Sequence, residues 1–141
     1  MSLLAYGDVS EVVDRLNAKM TTLASPAQVA WTKDPMDEFE HNVPTVLVYP
    51  AAQFSSQTRD SPVCRQEIQL SVVCLTVCEI DGLGVVLKDQ RDALLGWQVA
   101  PEYSIMKLTH QNIPYGLPLD IKGKYIWWED TYQVEYLHRT I

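Results

Sequence analysis

Apolar side chains recur along residues 9–23 with the period of a helix. Val9, Val12, Val13, Leu16, Met20 and Leu23 fall at offsets 0, 3, 4, 7, 11 and 14, which is one stripe of an amphipathic helix. Ahead of it Asp8-Val9-Ser10-Glu11 reads as a capping box, with Asp8 at the N-cap and Glu11 at the third helical position. Glu11 and Arg15 are spaced to pair across one turn, and Ser25-Pro26 ends the helix. The same offsets return at Leu83, Val86, Leu87, Gln90, Leu94 and Trp97, with Asp81 as the cap and Gly96 as the closing glycine of a second helix.

Between and after these helices the pattern is that of strands. Residues 27–32 form a short one, with Val29 and Trp31 on one face. Residues 45–49 are β-branched and apolar between Pro44 and Pro50. Residues 65–78 carry the longest strand signal: the first half alternates, and the second half reads as buried on both faces. Residues 104–111 and 125–139 complete the set. In the last, Trp128, Tyr132, Val134 and Tyr136 share the core parity, while Glu129, Thr131, Gln133 and Glu135 take the other. Helix, strands, helix, strands gives an α+β fold, a mainly antiparallel β-sheet with two α-helices packed on one face, in a single domain over residues 1–141.

Two connections stand apart. Residues 51–63 are polar and Ser-rich, and read as a long hairpin loop that contains Phe54 and Arg59. Residues 113–124 hold Pro114, Gly116, Pro118 and Gly123, and read as a loop or two turns. Yet they also carry Tyr115, Leu117, Leu119 and Ile121. That apolar surplus either folds back over the sheet edge or forms an assembly contact.

Composition narrows the function classes. With 141 residues, 47% hydrophobic and 21% charged, the chain can bury a full core without disulfides or metal. The net charge of −7 disfavours a general nucleic-acid binder, since phosphate recognition is built on Lys and Arg. The first residues hold neither a basic n-region nor a long apolar run, so no secretory signal is expected. No run approaches the roughly 18 apolar residues of a spanning helix. Cys64, Cys74 and Cys78, an odd count, fit reduced thiols used as small core hydrophobes.

The search for chemistry yields little. Gly82-Leu83-Gly84 opens a helix as a dinucleotide loop does, but Leu87 stands where the third glycine belongs. Asp34, Asp37, Glu38 and Glu40 lack the glycine and regular spacing of a calcium loop, and read as a solvated face or as a rim contact to a basic partner. His41, His110 and His138 are scattered. Glu129 and Asp130, adjacent on a strand, point to opposite faces and cannot act on one bond. Trp127-Trp128 reads as core and interface rather than as a base-stacking platform. No active site, metal or cofactor is expected.

The whole chain resembles the tail terminator (tail completion) proteins of long-tailed bacteriophages. The resemblance is carried by the helix ending Ala93-Leu94-Leu95-Gly96-Trp97, then Pro101, an irregular loop and the strand Tyr125-Ile126-Trp127-Trp128-Glu129-Asp130-Thr131-Tyr132. At the front it is carried by the N-terminal helix and Pro44-Thr45-Val46-Leu47-Val48-Tyr49. The resemblance implies a structural virion protein without enzyme activity or cofactor. It implies a ring, typically hexameric, that caps the tail tube, stops its polymerisation and joins it to the head or neck. The implied partners are further copies of the chain, the tail tube protein and a neck or head-completion protein. DNA would pass through the channel without specific binding, and no membrane is involved. Its implied place is the virion, assembled in the host bacterial cytoplasm. A closed ring needs two different patches on each subunit. The candidate interface residues are Tyr115, Leu117, Leu119 and Ile121 in one loop, and Phe54 and Arg59 in the other. A ring of about six copies would carry roughly −40 formal charge, which repels phosphate from the channel wall. The competing readings are another neck or head-closure connector, and a small cytosolic enzyme or ligand-binding domain.

Overall fold

The fold was taken from a computed structural model, which describes residues 9–23, 27–29, 44–55, 65–109 and 116–139. Among these, α1 (Val9–Met20) precedes β1 (Ala27–Val29), β2 (Thr45–Ser55) and β3 (Arg65–Glu79). Then come α2 (Leu83–Leu94), β4 (Lys107–Leu108), β5 (Gly116–Lys122) and β6 (Tyr125–Arg139). The six strands form one sheet in the order β1-β2-β3-β6-β4, with β5 also paired to β6. All pairs are antiparallel except β1 with β2. This is the α+β architecture expected from the order of elements.

The spine is the β3–β6 ladder. Each of the 15 residues of β3 faces a partner on β6 without a register shift. One face of this spine is the main core. Val46 and Val48 of β2, Leu70, Val72 and Cys74 of β3, and Tyr132, Val134 and Tyr136 of β6 lie on it. Both helices close over this face. From α1, Val12, Val13, Leu16 and Met20 are fully buried, four positions of the apolar stripe. From α2, Leu94 enters the same core. The Glu11–Arg15 pair forms, and the Arg15 Nη1 also donates to the Val99 carbonyl at 3.1 Å, tying α1 to the segment after α2.

The other face is also dry along its middle. Leu47, Val73, Leu75, Val77 and Trp127 are buried there, so residues 72–78, an apolar run interrupted by Thr76, are covered on both sides. Gln133, assigned to the wet parity, is buried as well.

The structure corrects four expectations. α2 does not start on an Asp81 cap: Ile80–Gly82 form a 3-10 turn, and Gly82 occupies the N-cap with no side-chain bond. Trp97 falls outside α2, whose end is closed by Gly96 at φ 84. The strand expected over 104–111 shrinks to β4, joined by single bridges Gln98–Ile105 and Tyr103–Tyr136. The strand expected to end at Pro50, with a loop from residue 51, instead passes a bulge there: register shifts between Pro50 and Ala52, and β2 runs on to Ser55. A proline that cannot donate is tolerated at such a bulge. Asp8, Cys64, the acidic residues 34–40, His41 and His110 lie outside the described residues.

Candidate functional site

The largest correction falls on the candidate interface. Residues 116–122 are a strand, not a loop. β5 turns through Gly123 and Lys124 into β6, with Lys122 opposite Tyr125. Gly123, at φ 60, supplies the positive φ that the first turn position of a two-residue hairpin favours. The register then shifts between Pro118 and Asp120, leaving Leu119 as a bulge. Leu117 faces Glu129 and Ile121 faces Ile126. The two residues have equal sequence parity, yet the extra residue sends them to opposite faces.

Leu117 is half-buried, but Leu119 and Ile121 are 43% and 55% exposed. The start of α2 lies against the hairpin turn, because the Ile80 N–H donates to the Lys124 carbonyl at 2.9 Å. Ile80 and Val85 are exposed on this stretch, Val85 at 75%. A second exposed pair, Leu95 and Ile105, sits at the other end of α2. It is held there by the Gly96 N–H to Met106 carbonyl bond at 2.9 Å and the Gln98–Ile105 bridge. A helix of 12 residues separates the two groups by about 18 Å.

Beneath this surface a partly buried polar clamp ties α2 to β6, the strand on which β5 pairs. Arg91 donates through Nε to Asp130 Oδ2 and through Nη2 to Asp130 Oδ1, both at 2.9 Å. Trp128 Nε1 donates to the same Oδ1 at 2.7 Å. Asp130 is fully buried, and such a carboxylate persists only with charge-assisted donors around it. Gly116 packs directly on the clamp. A Cβ there would lie 2.7 Å from Asp130 Oδ1 and 3.3 Å from both Arg91 Nη2 and Trp128 Cζ2. One layer deeper, the Tyr132 hydroxyl donates to Gln90 Oε1 at 3.0 Å, and Gln90 Nε2 donates to Thr76 Oγ1 at 3.1 Å. Gln90, read as a member of the apolar stripe, is thus buried as a polar link between α2, β3 and β6.

These groups are occupied with one another. Burial, and secondarily the charge of Asp130, push the Cys74 thiol up. Burial pushes the Tyr132 phenol up, with Cys74 and Asp130 adding to the rise and Arg91 opposing it. Both therefore stay protonated through the physiological range, which removes them as nucleophiles. Cys78 is also raised, by burial and then by Glu79. On the opposite face burial raises the Glu129 carboxyl, against a hydrogen bond from Tyr49 that lowers it. Among the described residues no group of three or more His, Cys, Asp or Glu converges as metal ligands, and no helix is long and apolar enough to cross a membrane.

Of the six candidate interface residues, the structure brings Leu117, Leu119 and Ile121 together on β5. Phe54 belongs to β2, opposite Gln69, rather than to a loop. Tyr115 and Arg59 lie outside the described residues. Sequence reading missed Arg91, Asp130 and Gly116. One signal was available: Asp130 shares the core parity of Trp128 and Tyr132, and an acid on a core face demands a buried partner. No family model matches the chain, and no curated protein is similar to it.

Proposed function

We propose that the chain is a structural subunit that closes into a ring on the end of a phage tail tube, ends tube growth and offers the joining surface to the neck. One observation carries this reading: β5, which among the described residues pairs with β6 alone and packs its Gly116 against the Arg91–Asp130 clamp, turns Leu119 and Ile121 to solvent. Neighbouring apolar side chains left in the open are characteristic of surfaces that meet a partner. Leu95 and Ile105, at the far end of α2, provide a second and different patch, and a head-to-tail ring joins two unlike patches. The net charge of −7 suits a channel that DNA crosses without adhering. In this reading the ring, six-membered by its resemblance to tail terminators, belongs to the virion and assembles in the host cytoplasm. Its partners are its own copies, the tube protein and a neck protein, and it performs no catalysis.

The test is electron microscopy of the purified protein mixed with polymerising tube subunits. Rings at tube ends and a finite tube length are the expected result. A protein that never binds tube ends and leaves tube length unlimited overturns the proposal.

A further inference from the structure

We infer that β5 is closed against strand addition, and that Asp120 is the residue that closes it. An apolar edge strand is a template on which another extended chain can pair, with open-ended aggregation as the result. Among the described residues β5 pairs with β6 alone, and within them its other side is such an edge.

Three features along β5 remove the template. Pro118 has no N–H to offer. The bulge at Leu119 breaks the register that an incoming strand would have to match. The third feature is at Ile121. In a two-residue hairpin the residues flanking the turn, Lys122 and Tyr125, exchange both backbone bonds. By alternation the next pair, Ile121 and Ile126, does not. Ile121 therefore turns its N–H away from β6, toward the open side. There it donates to Asp120 Oδ1 at 2.8 Å. The carboxylate of the preceding residue thus occupies the donor that an added strand would use. Asp120 also lies 3.7 Å from Lys122 Nζ, which keeps charge along the edge.

The consequence is a choice of contact mode. Whatever meets this surface touches the side chains of Leu119 and Ile121, and does not extend the sheet through its backbone. The inference stands on strand geometry alone and holds whether or not the protein caps a tail.

Amide hydrogen exchange and sedimentation of the full chain test it. Asp120→Ala should speed exchange at the Ile121 amide by about fivefold, the factor carried by an exposed hydrogen bond of ordinary strength. Asp120→Asn, which keeps an acceptor oxygen, should exchange close to the parent rate. Lys122→Ala, which removes the ion pair and the contact with the Trp127 ring but leaves the Asp120 acceptor, should do the same. The double variant Pro118→Thr with Asp120→Ala should form open-ended species that bind thioflavin T, where the parent chain forms none. Adding Leu119→Ser and Ile121→Ser should not prevent this, because the pairing is through backbone. Unchanged exchange in Asp120→Ala overturns the inference. So does a double variant that sediments like the parent, or one whose polymers vanish when the two apolar side chains are removed.

Discussion

Strand β6 has two edges, and they are built on opposite principles. Toward β3 it is paired along its whole length without interruption. Toward β5 and β4 it is paired in two pieces, with a bulge in the first and only two residue pairs in the second. Similar residue types line both sides. On the inner side Leu70, Val72 and Leu75 are buried; on the outer side Leu119 and Ile121 are exposed. The difference teaches that apolar content does not by itself mark the core. A continuous ladder covered on both faces holds the fold, while a clamped, blunted edge holds a surface in place.

The strongest way to break this comparison is to remove what fixes the outer edge. Arg91→Ala leaves Asp130 buried without its cation, and should cost about 3 kcal/mol of unfolding free energy in urea titration. Leu16→Ala, in the seal that α1 forms over the inner face, should cost about 2–5 kcal/mol by the same measurement. A loss under 1 kcal/mol would show that the clamp does not fix the outer edge in the first case, and that the inner face does not depend on the α1 seal in the second. Gly116→Ala forces a methyl group onto the clamp and should cost about 1–3 kcal/mol, visible as a lowered urea midpoint and faster amide exchange along β5.

A smaller effect sharpens the contrast through pH. The Glu129 carboxyl, opposite Leu117, is raised by burial. A raised folded value means that the native state binds the proton more tightly than the unfolded chain. This contribution therefore favours folding at low pH and fades as pH rises from the ordinary glutamate range through the raised folded value. Glu129→Gln should accordingly stabilise the protein slightly at neutral pH, with the gain shrinking as pH falls below the glutamate range. An advantage that grows on acidification would contradict the burial of this group. Smallest of all, Leu119→Ser with Ile121→Ser should change unfolding free energy by no more than about 0.5 kcal/mol, as for exposed positions outside any network.

The two edges also differ in how far they could be read in advance. β3, β6 and both helices are long and periodic, so their stripes and alternations were legible. β5 was not, for two physical reasons. Gly116, Pro118 and Gly123 speak for turns, yet one makes room for Asp130 and Trp128, one suits an unpaired edge and only one forms the turn. The bulge at Leu119 then hides the alternation, because Leu117 and Ile121 share a parity in sequence and not in space. At Pro50 a second bulge disguised the continuation of β2 in the same way. The clamp itself joins residues 39 positions apart, a pairing that no local period announces. The exposed Leu119 and Ile121 were anticipated as interface residues, but in a loop rather than on a paired strand.

The most direct measurement compares the parent chain with the Leu119→Ser, Ile121→Ser variant by electron microscopy in the presence of polymerising tube subunits. The account predicts capped tubes of finite length for the parent, and uncapped, overgrown tubes for a variant that circular dichroism shows to be fully folded. Equal capping by both proteins, or by neither, would contradict it.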